Sequence, residues 1–384
     1  MKRKACVLVT ARPSYSRIKS ALRAMAAHPD LELQLVVAAS ALLDRYGNAI
    51  RSIEHDGFEV AAKVFMVLEG ENLVTSAKST GLGLVELATV FDNLAPDVVV
   101  TVADRYETLA TAVAASYMNI PVAHVQGGEV TGSIDEKVRH AVTKLSDVHF
   151  VSTPLARERV IRLGERPERV HLTGCPSIDL AAEVHASPVL DFDPFTKYGG
   201  VGERVDLSRG FIVVMQHPVT TEYEEARRQV DETLHAVADL DIPTLWFWPN
   251  VDAGSDGTSK GIRIFREQRR DARIHLFRNM LPEDFLRLLC ASACIVGNSS
   301  VAIRECSFLG VPAVNIGTRQ AGRERGKNVT DVDYDRAGIS AAIRRHLARG
   351  KAEQDTLYGD GSAGARIADL LASVELTIEK RLTY

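Results

Sequence analysis

The chain has 384 residues, with 46% hydrophobic and 25% charged side chains, and a formal charge of −4 from 46 basic and 50 acidic groups. That length exceeds one ordinary core and fits two domains of about 150–200 residues each. The near-balanced charge excludes a global attraction to nucleic acid or to an anionic membrane surface, so an anionic ligand would have to be met by a local cluster of cations.

The N-terminus, Met1-Lys2-Arg3-Lys4, leads straight into a short strand-like run, Ala5–Thr10, which is followed by Arg12. The run is too short for a signal peptide or a membrane span, and a cytoplasmic location is expected. β-rich runs at Cys6–Val9, Leu33–Ala38, Val98–Val102, Val122–Val125 and Val148–Val151 alternate with helix-like stretches at Ile18–Ala27, Tyr106–Tyr117 and Ile134–Leu145. Strand, helix, strand at this rhythm implies a parallel sheet with helices on both faces.

Between His185 and Gly210 the rhythm breaks, with Pro188, Pro194, Gly199, Gly200 and Gly202, as an interdomain linker would. It then restarts. Strands are expected at Phe211–Met215, Leu245–Trp248, Ile274–Phe277, Cys294–Val296 and Ala313–Ile316, with helices at Glu222–Leu240, Glu283–Ala291 and Val301–Leu309. The expected organisation is therefore an N-terminal Rossmann-like domain over 1–185 and a second over 205–365. A C-terminal helix over 366–384 packs back on the first. Two doubly wound α/β domains facing a central cleft would bind a ligand at the carboxyl ends of their strands.

Cys6, Cys175, Cys290, Cys294 and Cys306 show no paired spacing and read as buried thiols. The histidines lack zinc-type spacing, so no metal is expected. Gly81-Leu82-Gly83 follows no clear strand and lacks a third glycine, which excludes a dinucleotide fingerprint.

The strongest chemical signal lies at Cys294–Gly310. A buried strand ends in Gly297-Asn298-Ser299-Ser300 and a helix is expected to begin at once. Backbone N–H groups, two hydroxyls and the positive end of a helix dipole would converge there on an anion, although a serine in that place also serves as an ordinary helix cap. The next strand exit, Gly317–Lys327, is glycine-rich and carries Arg319, Arg323, Arg325 and Lys327. Neighbouring strands would aim both segments at one crevice, which suits a diphosphate.

Several long motifs carry a family resemblance. Gly127-Gly128-Glu129-Val130-Thr131-Gly132 with Ile134-Asp135, Gln216-His217-Pro218-Val219-Thr220-Thr221, Pro249-Asn250-Val251-Asp252-Ala253-Gly254-Ser255, Gly297-Asn298-Ser299-Ser300 and Gly317-Thr318-Arg319-Gln320 resemble the hydrolysing UDP-N-acetylglucosamine 2-epimerases over nearly the whole chain. The resemblance implies the GT-B architecture. It also implies UDP ligands at Arg12, Ser16, Arg105, His217, Asn250, Met280, Ser299, Ser300, Glu305 and Arg319, and sugar contacts at Gln126, Glu129 and Arg323. The implied reaction converts UDP-N-acetylglucosamine and water to UDP and N-acetylmannosamine by elimination and hydration, without a cofactor, in a homodimer or homotetramer. A non-hydrolysing epimerase that returns UDP-N-acetylmannosamine, or a hydrolysing enzyme for a modified UDP- or GDP-sugar, is the alternative. A glycosyltransferase would need an acceptor site, and a non-catalytic sensor would not need paired carboxylates.

Asp104, Asp135 and His217 are the expected catalytic groups. Asp104 follows the strand Val98–Val102, although Asp104…Glu107 also has capping-box spacing. Ser133…Glu136 forms a second such box, which leaves Asp135 in the first helical turn and Glu136 with a structural part. His217, at a strand end, is placed to donate to a departing phosphate. Glu129 follows two glycines expected to let backbone approach the sugar, and His124 reads as a core residue. Two positions depart from the pattern the resemblance implies: Ser14, where relatives typically carry an acidic residue, and Gln126, where the similar epimerase part of the bifunctional enzyme of sialic-acid biosynthesis has glutamate. Glutamine exchanges no proton, so position 126 can orient substrate but not serve as a base.

Overall fold

The computed structural model describes residues 1–44, 49–69, 73–103, 105–131, 135–249 and 254–383. The chain divides into two units, one formed by residues 1–129, 134–180 and 358–384, the other by 130–133 and 181–357. Among the described residues no helix is long and apolar enough to cross a membrane.

The first unit holds a seven-stranded parallel sheet in the order β3-β2-β1-β4-β5-β6-β7. The strands are β1 (Arg3–Val9), β2 (Leu31–Ala38), β3 (Val60–Val64), β4 (Val98–Val102), β5 (Val122–Val125), β6 (Val148–Val151) and β7 (Val170–Leu172). Because helices cover both faces, the central strands are largely apolar, and β4 is buried throughout, Thr101 included. Alternate residues serve opposite faces: Val7, Val98 and Val100 join one core with Leu22, while Cys6 and Val99 join another with Leu87. Chain order reverses between β1 and β4, which makes their carboxyl ends the topological switch point.

The second unit repeats the plan with six parallel strands in the order β10-β9-β8-β11-β12-β13. These are β8 (Ile212–Met215), β9 (Thr244–Phe247), β10 (Ile274–Phe277), β11 (Cys294–Gly297), β12 (Ala313–Ile316) and β13 (Val329–Val332). Val214, Trp246, Val296 and Ile343 lie in its core. Here the switch point falls between β8 and β11. No disulfide joins any of the five cysteines, and burial pushes the Cys6 and Cys294 thiols up to about 12.

Four features differ from the sequence reading. The edge strands β3 and β13 alternate or expose their side chains and the three-residue β7 is too brief, so none has the continuous apolar run of a central strand. The helix expected over Val301–Leu309 is instead a 3-10 turn, Ser300–Ala302, and a short helix, Glu305–Phe308. Asn328 Nδ2 takes the Ala302 carbonyl at 3.1 Å, drawing that oxygen away from a regular helical ladder. The expected linker is anchored within the second unit: Val201 and Leu276 exchange backbone hydrogen bonds of 2.9 Å, and both ring nitrogens of His275 meet linker carbonyls.

The C-terminal helix spans Ala363–Ser373, not 366–384. Asp179 accepts from Ser20 Oγ and from the amides of Ala363 and Gly364, which ties that helix to Arg12–Ala27. Beyond Ser373 the chain runs without regular structure to a buried charge cluster. There Glu165 meets Lys144 Nζ at 2.6 Å, Lys380 Nζ at 2.6 Å and His149 Nε2 at 3.1 Å. Burial opposes ionisation of Glu165, but these three hydrogen bonds outweigh it and bring its pKa down to about 2. Lys380 also donates to the Thr143 and Ser146 carbonyls.

Candidate functional site

In the second unit the exits of β8, β11 and β12 meet at one fully buried residue, Asn298, whose side chain holds the β8 exit and whose main-chain carbonyl holds the β12 exit. Its Oδ1 accepts from the His217 amide at 2.7 Å, and its Nδ2 donates to the His217 carbonyl at 2.8 Å. Its own carbonyl accepts from Arg319 Nη1 at 3.2 Å and Gln320 Nε2 at 2.9 Å. The sheet allows this because β11 ends in Gly297 at φ +131°, where a Cβ would sit 2.2 Å from the Met215 carbonyl oxygen. His217, Ser299, Ser300 and Arg319 are thus brought together by backbone-level contacts.

Ser299 Oγ accepts from the Val301 amide at 3.5 Å, a local capping contact, while Ser300 Oγ accepts from Arg304 Nη2 at 2.9 Å. Since the helix after the serines is short, the expected helix dipole contributes little. An anion placed here would meet hydroxyls, backbone amides and guanidinium groups instead. Glu305 is 7% exposed, and its Oε2 has no hydrogen-bond partner among the described residues. Met280 is also buried, in the turn after β10, and the next amide, Leu281, donates to Tyr198 Oη at 3.2 Å.

The four cations of the Gly317–Lys327 loop separate into two pairs. Arg325 is committed to Asp331 at 3.1 Å and Lys327 to Glu353 at 3.4 Å. Arg319 joins Asn298, and Arg323 is buried at 6% exposure. Asn250 lies outside the described residues.

In the first unit Arg12 opens the helix Arg12–Ala27 right after β1. Its side chain is half-buried by accessible surface, and the partial desolvation brings its pKa down to about 10; among the described residues no carboxylate pairs with it. A desolvated guanidinium without a counter-charge favours an anionic ligand. Ser16 Oγ donates to the Arg12 carbonyl at 3.3 Å. Ser14 serves the backbone: its hydroxyl accepts from the Ala11 amide and donates to the Ala11 carbonyl.

Asp104 lies outside the described residues. Arg105 occupies the N-cap position, and Glu107, fully buried, turns to Arg105 Nε at 3.3 Å. His124 is a core residue, with Nε2 against the Ala103 carbonyl at 2.9 Å and Nδ1 against Thr143 Oγ1 at 3.2 Å. Burial brings its pKa down to about 3, so it stays neutral. Nε2 must then donate, which pins Ala103, at φ +64°, at the exit of β4.

Gln126, 1% exposed, leaves β5 at φ +68°. Its amide donates to the Phe150 carbonyl at 2.8 Å, and its Nε2 donates to Cys175 Sγ at 2.9 Å. Cys175 is a residue that sequence reading missed, because a lone buried thiol carries no spacing signal. Glu129 accepts from Ser152 Oγ at 3.1 Å, and its carbonyl accepts from Arg139 Nη1 at 2.8 Å. A Cβ at Gly128, φ +75°, would lie 2.2 Å from the Ala156 carbonyl oxygen, so the glycine is needed for helix packing. Asp135 is the first residue of the helix Asp135–Leu145. Ser133 lies outside the described residues, and Glu136 pairs with His140 at 3.3 Å.

Comparison with known proteins adds four findings. Residues 23–372 match the profile of the family described as UDP-N-acetylglucosamine 2-epimerase. The chain is 33% identical over 378 residues, 98% of its length and 97% of the relative's, to a UDP-N,N'-diacetylbacillosamine 2-epimerase (hydrolyzing) of Legionella pneumophila. It is 28% identical, over 98% of its length and 96% of the relative's, to a UDP-N-acetylglucosamine 2-epimerase of Neisseria meningitidis. Among solved structures, the Neisseria meningitidis UDP-GlcNAc 2-epimerase bound to UDP-GlcNAc shares the fold at TM-score 0.78 and 15% identity, covering 96% of this chain and 99% of that one. The fold is the expected α/β class, two doubly wound parallel-sheet domains of the GT-B type.

Proposed function

The chain belongs to the UDP-N-acetylglucosamine 2-epimerase family, and on that premise we propose that it is a hydrolysing 2-epimerase that converts UDP-N-acetylglucosamine to UDP and N-acetylmannosamine. The observation that carries the reading is Asn298, which joins His217, Ser299, Ser300 and Arg319 into one set of anion-binding groups at the switch point of the second sheet. Such a set suits a diphosphate better than a neutral ligand, because fixed donors and guanidinium groups favour phosphate oxygens.

In the proposed reaction a base takes the C2 proton and the C2–H electrons form a C1=C2 double bond. The C1–O bond breaks, and its electron pair leaves with UDP. Water then adds across the double bond of 2-acetamidoglucal, hydroxyl to C1 and proton to C2 on the opposite face. Asp104 and Asp135 are the assigned acid/base pair, and His217 donates to the departing phosphate. Arg12, Ser16, Arg105, Asn250, Met280, Ser299, Ser300, Glu305 and Arg319 hold UDP. Gln126, Glu129 and Arg323 contact the sugar. Gln126 orients without ionising. The proposal places the enzyme in the cytoplasm as a homodimer or homotetramer.

A second reading has specific support: the relative at 33% identity bears the name of a diacetylbacillosamine epimerase, which makes UDP-N,N'-diacetylbacillosamine a rival substrate. Proton NMR in deuterated water tests both sugars. UDP with free N-acetylmannosamine deuterated at C2, abolished by Asp104→Asn, is the expected result. Turnover of the diacetylated sugar alone moves the assignment to the second reading. Stable UDP-N-acetylmannosamine would make the enzyme non-hydrolysing, and no turnover of either sugar overturns the proposal.

A further inference from the structure

We propose that Arg304 is a positioning residue of the diphosphate subsite, fixing the Ser300 hydroxyl as a phosphate donor and holding its own cation between that hydroxyl and the Glu305 carboxylate. The inference rests on the reading of Ser300 and Glu305 as nucleotide ligands.

Arg304 is 2% exposed, one of the largest buried side chains in the chain. Its Nη2 lies 2.9 Å from Ser300 Oγ, and its Nε lies 3.9 Å from Glu305 Oε2. A guanidinium has donors only. Ser300 Oγ must therefore accept from it, and the hydroxyl's own proton is directed away from Arg304. With UDP bound, that proton points to a diphosphate oxygen, and the adjacent cation strengthens the donor. The same cation answers a second difficulty. Glu305 would accept from the ribose hydroxyls close to a diphosphate of like charge, a repulsion that a guanidinium beside both groups offsets.

The local backbone supports this placement. The Arg304 amide donates to the Ser300 carbonyl at 3.1 Å, so one turn sets the guanidinium beneath the hydroxyl it serves. The break between the 3-10 turn Ser300–Ala302 and the helix Glu305–Phe308 falls at this residue, at φ −94° and ψ −72°. Lysine cannot replace the arginine, because one ammonium lacks the fork that reaches a hydroxyl and a carboxylate in different directions.

The test is calorimetric titration of UDP and of uridine into wild type, Arg304→Lys, Arg304→Met, Ser300→Ala and the double variant Arg304→Met with Ser300→Ala. Uridine reads the base and ribose alone, so a general loss of structure lowers both affinities together. The expected result is a UDP affinity about tenfold weaker in Arg304→Met and in Ser300→Ala. Uridine changes less than threefold in Ser300→Ala, and the double variant is no weaker than the worse single. Additive losses, or UDP and uridine falling in parallel in Arg304→Met and Arg304→Lys, overturn the inference. Ser300→Ala keeps it falsifiable if the arginine variants do not fold: unchanged UDP affinity there also overturns it. Wild type that binds UDP but turns over no sugar defeats the epimerase proposal alone. Wild type that binds no UDP defeats both.

Discussion

Asn298→Ala removes a side chain that makes two hydrogen bonds to the backbone of one residue, His217, in a fully buried place. Each backbone group left without a partner costs about 1–3 kcal/mol, so the pair sets a loss of about 2–6 kcal/mol. Hydrogen exchange reads the local part of this cost. The His217 amide loses the Oδ1 acceptor at 2.7 Å, and its protection should fall about 5- to 150-fold, the equivalent of about 1–3 kcal/mol. UDP affinity should fall with it, because Ser299 and Ser300 follow directly from the same residue. Asn298→Asp separates hydrogen bonding from packing. It keeps the shape but sets a carboxylate oxygen against the His217 carbonyl, where Nδ2 now donates at 2.8 Å. Burial and that carbonyl both disfavour the ionised form, so the folded-state pKa rises above the unfolded value of about 3.9. Stability is then retained below that value and lost as pH rises through the folded pKa, which makes Asn298→Asp weaker at pH 7 than at pH 5. Protection and UDP affinity both within twofold of wild type in Asn298→Ala would refute the idea that this residue gathers the strand exits.

Three further outcomes are expected. Glu165 is held near a pKa of 2 against an ordinary 4.5, so its contribution is present above pH 4.5 and is lost as pH falls toward 2. Glu165→Gln should flatten that acid limb in a melting series and, at pH 7, speed tryptic cleavage after Lys380. Gln126→Ala should lower kcat/KM about tenfold or more through lost orientation. It should leave the limbs of the pH–rate profile where they are in wild type, and a displaced limb would contradict a non-ionising role. Gly297→Ala sets a Cβ 2.2 Å from the Met215 carbonyl oxygen at φ +131°, and should destabilise the second unit by about 3 kcal/mol or more. A melting temperature within 1–2 °C, by approximation, of wild type would show that the strands can part there at little cost.

Much of the fold was legible because central parallel strands are buried on both faces and so read as short, predominantly apolar, valine-rich runs. Val98–Val102 and Val122–Val125 were located from that signal to the residue. The edge strands Val60–Val64 and Val329–Val332 lack it, since one side meets water. Helix Val301–Leu309 failed for the opposite reason. Its composition favours helix, but Asn328, 26 residues further on, claims the Ala302 carbonyl.

The candidate site divides along the same line. Sequence by itself determined which residue types stand at the strand exits, and the motif lengths were enough to indicate the family. Tertiary structure decided how those residues are used. Arg325 and Lys327 neutralise Asp331 and Glu353, whereas Arg319 turns to Asn298. Gly128, just before Glu129, allows close packing against the helix Pro154–Arg162. Gln126 is held by Cys175, and Ser300 by Arg304. A hydrogen bond or an ion pair depends on where two side chains meet in space, and spacing along the chain carries that information only within one helical turn or across one strand.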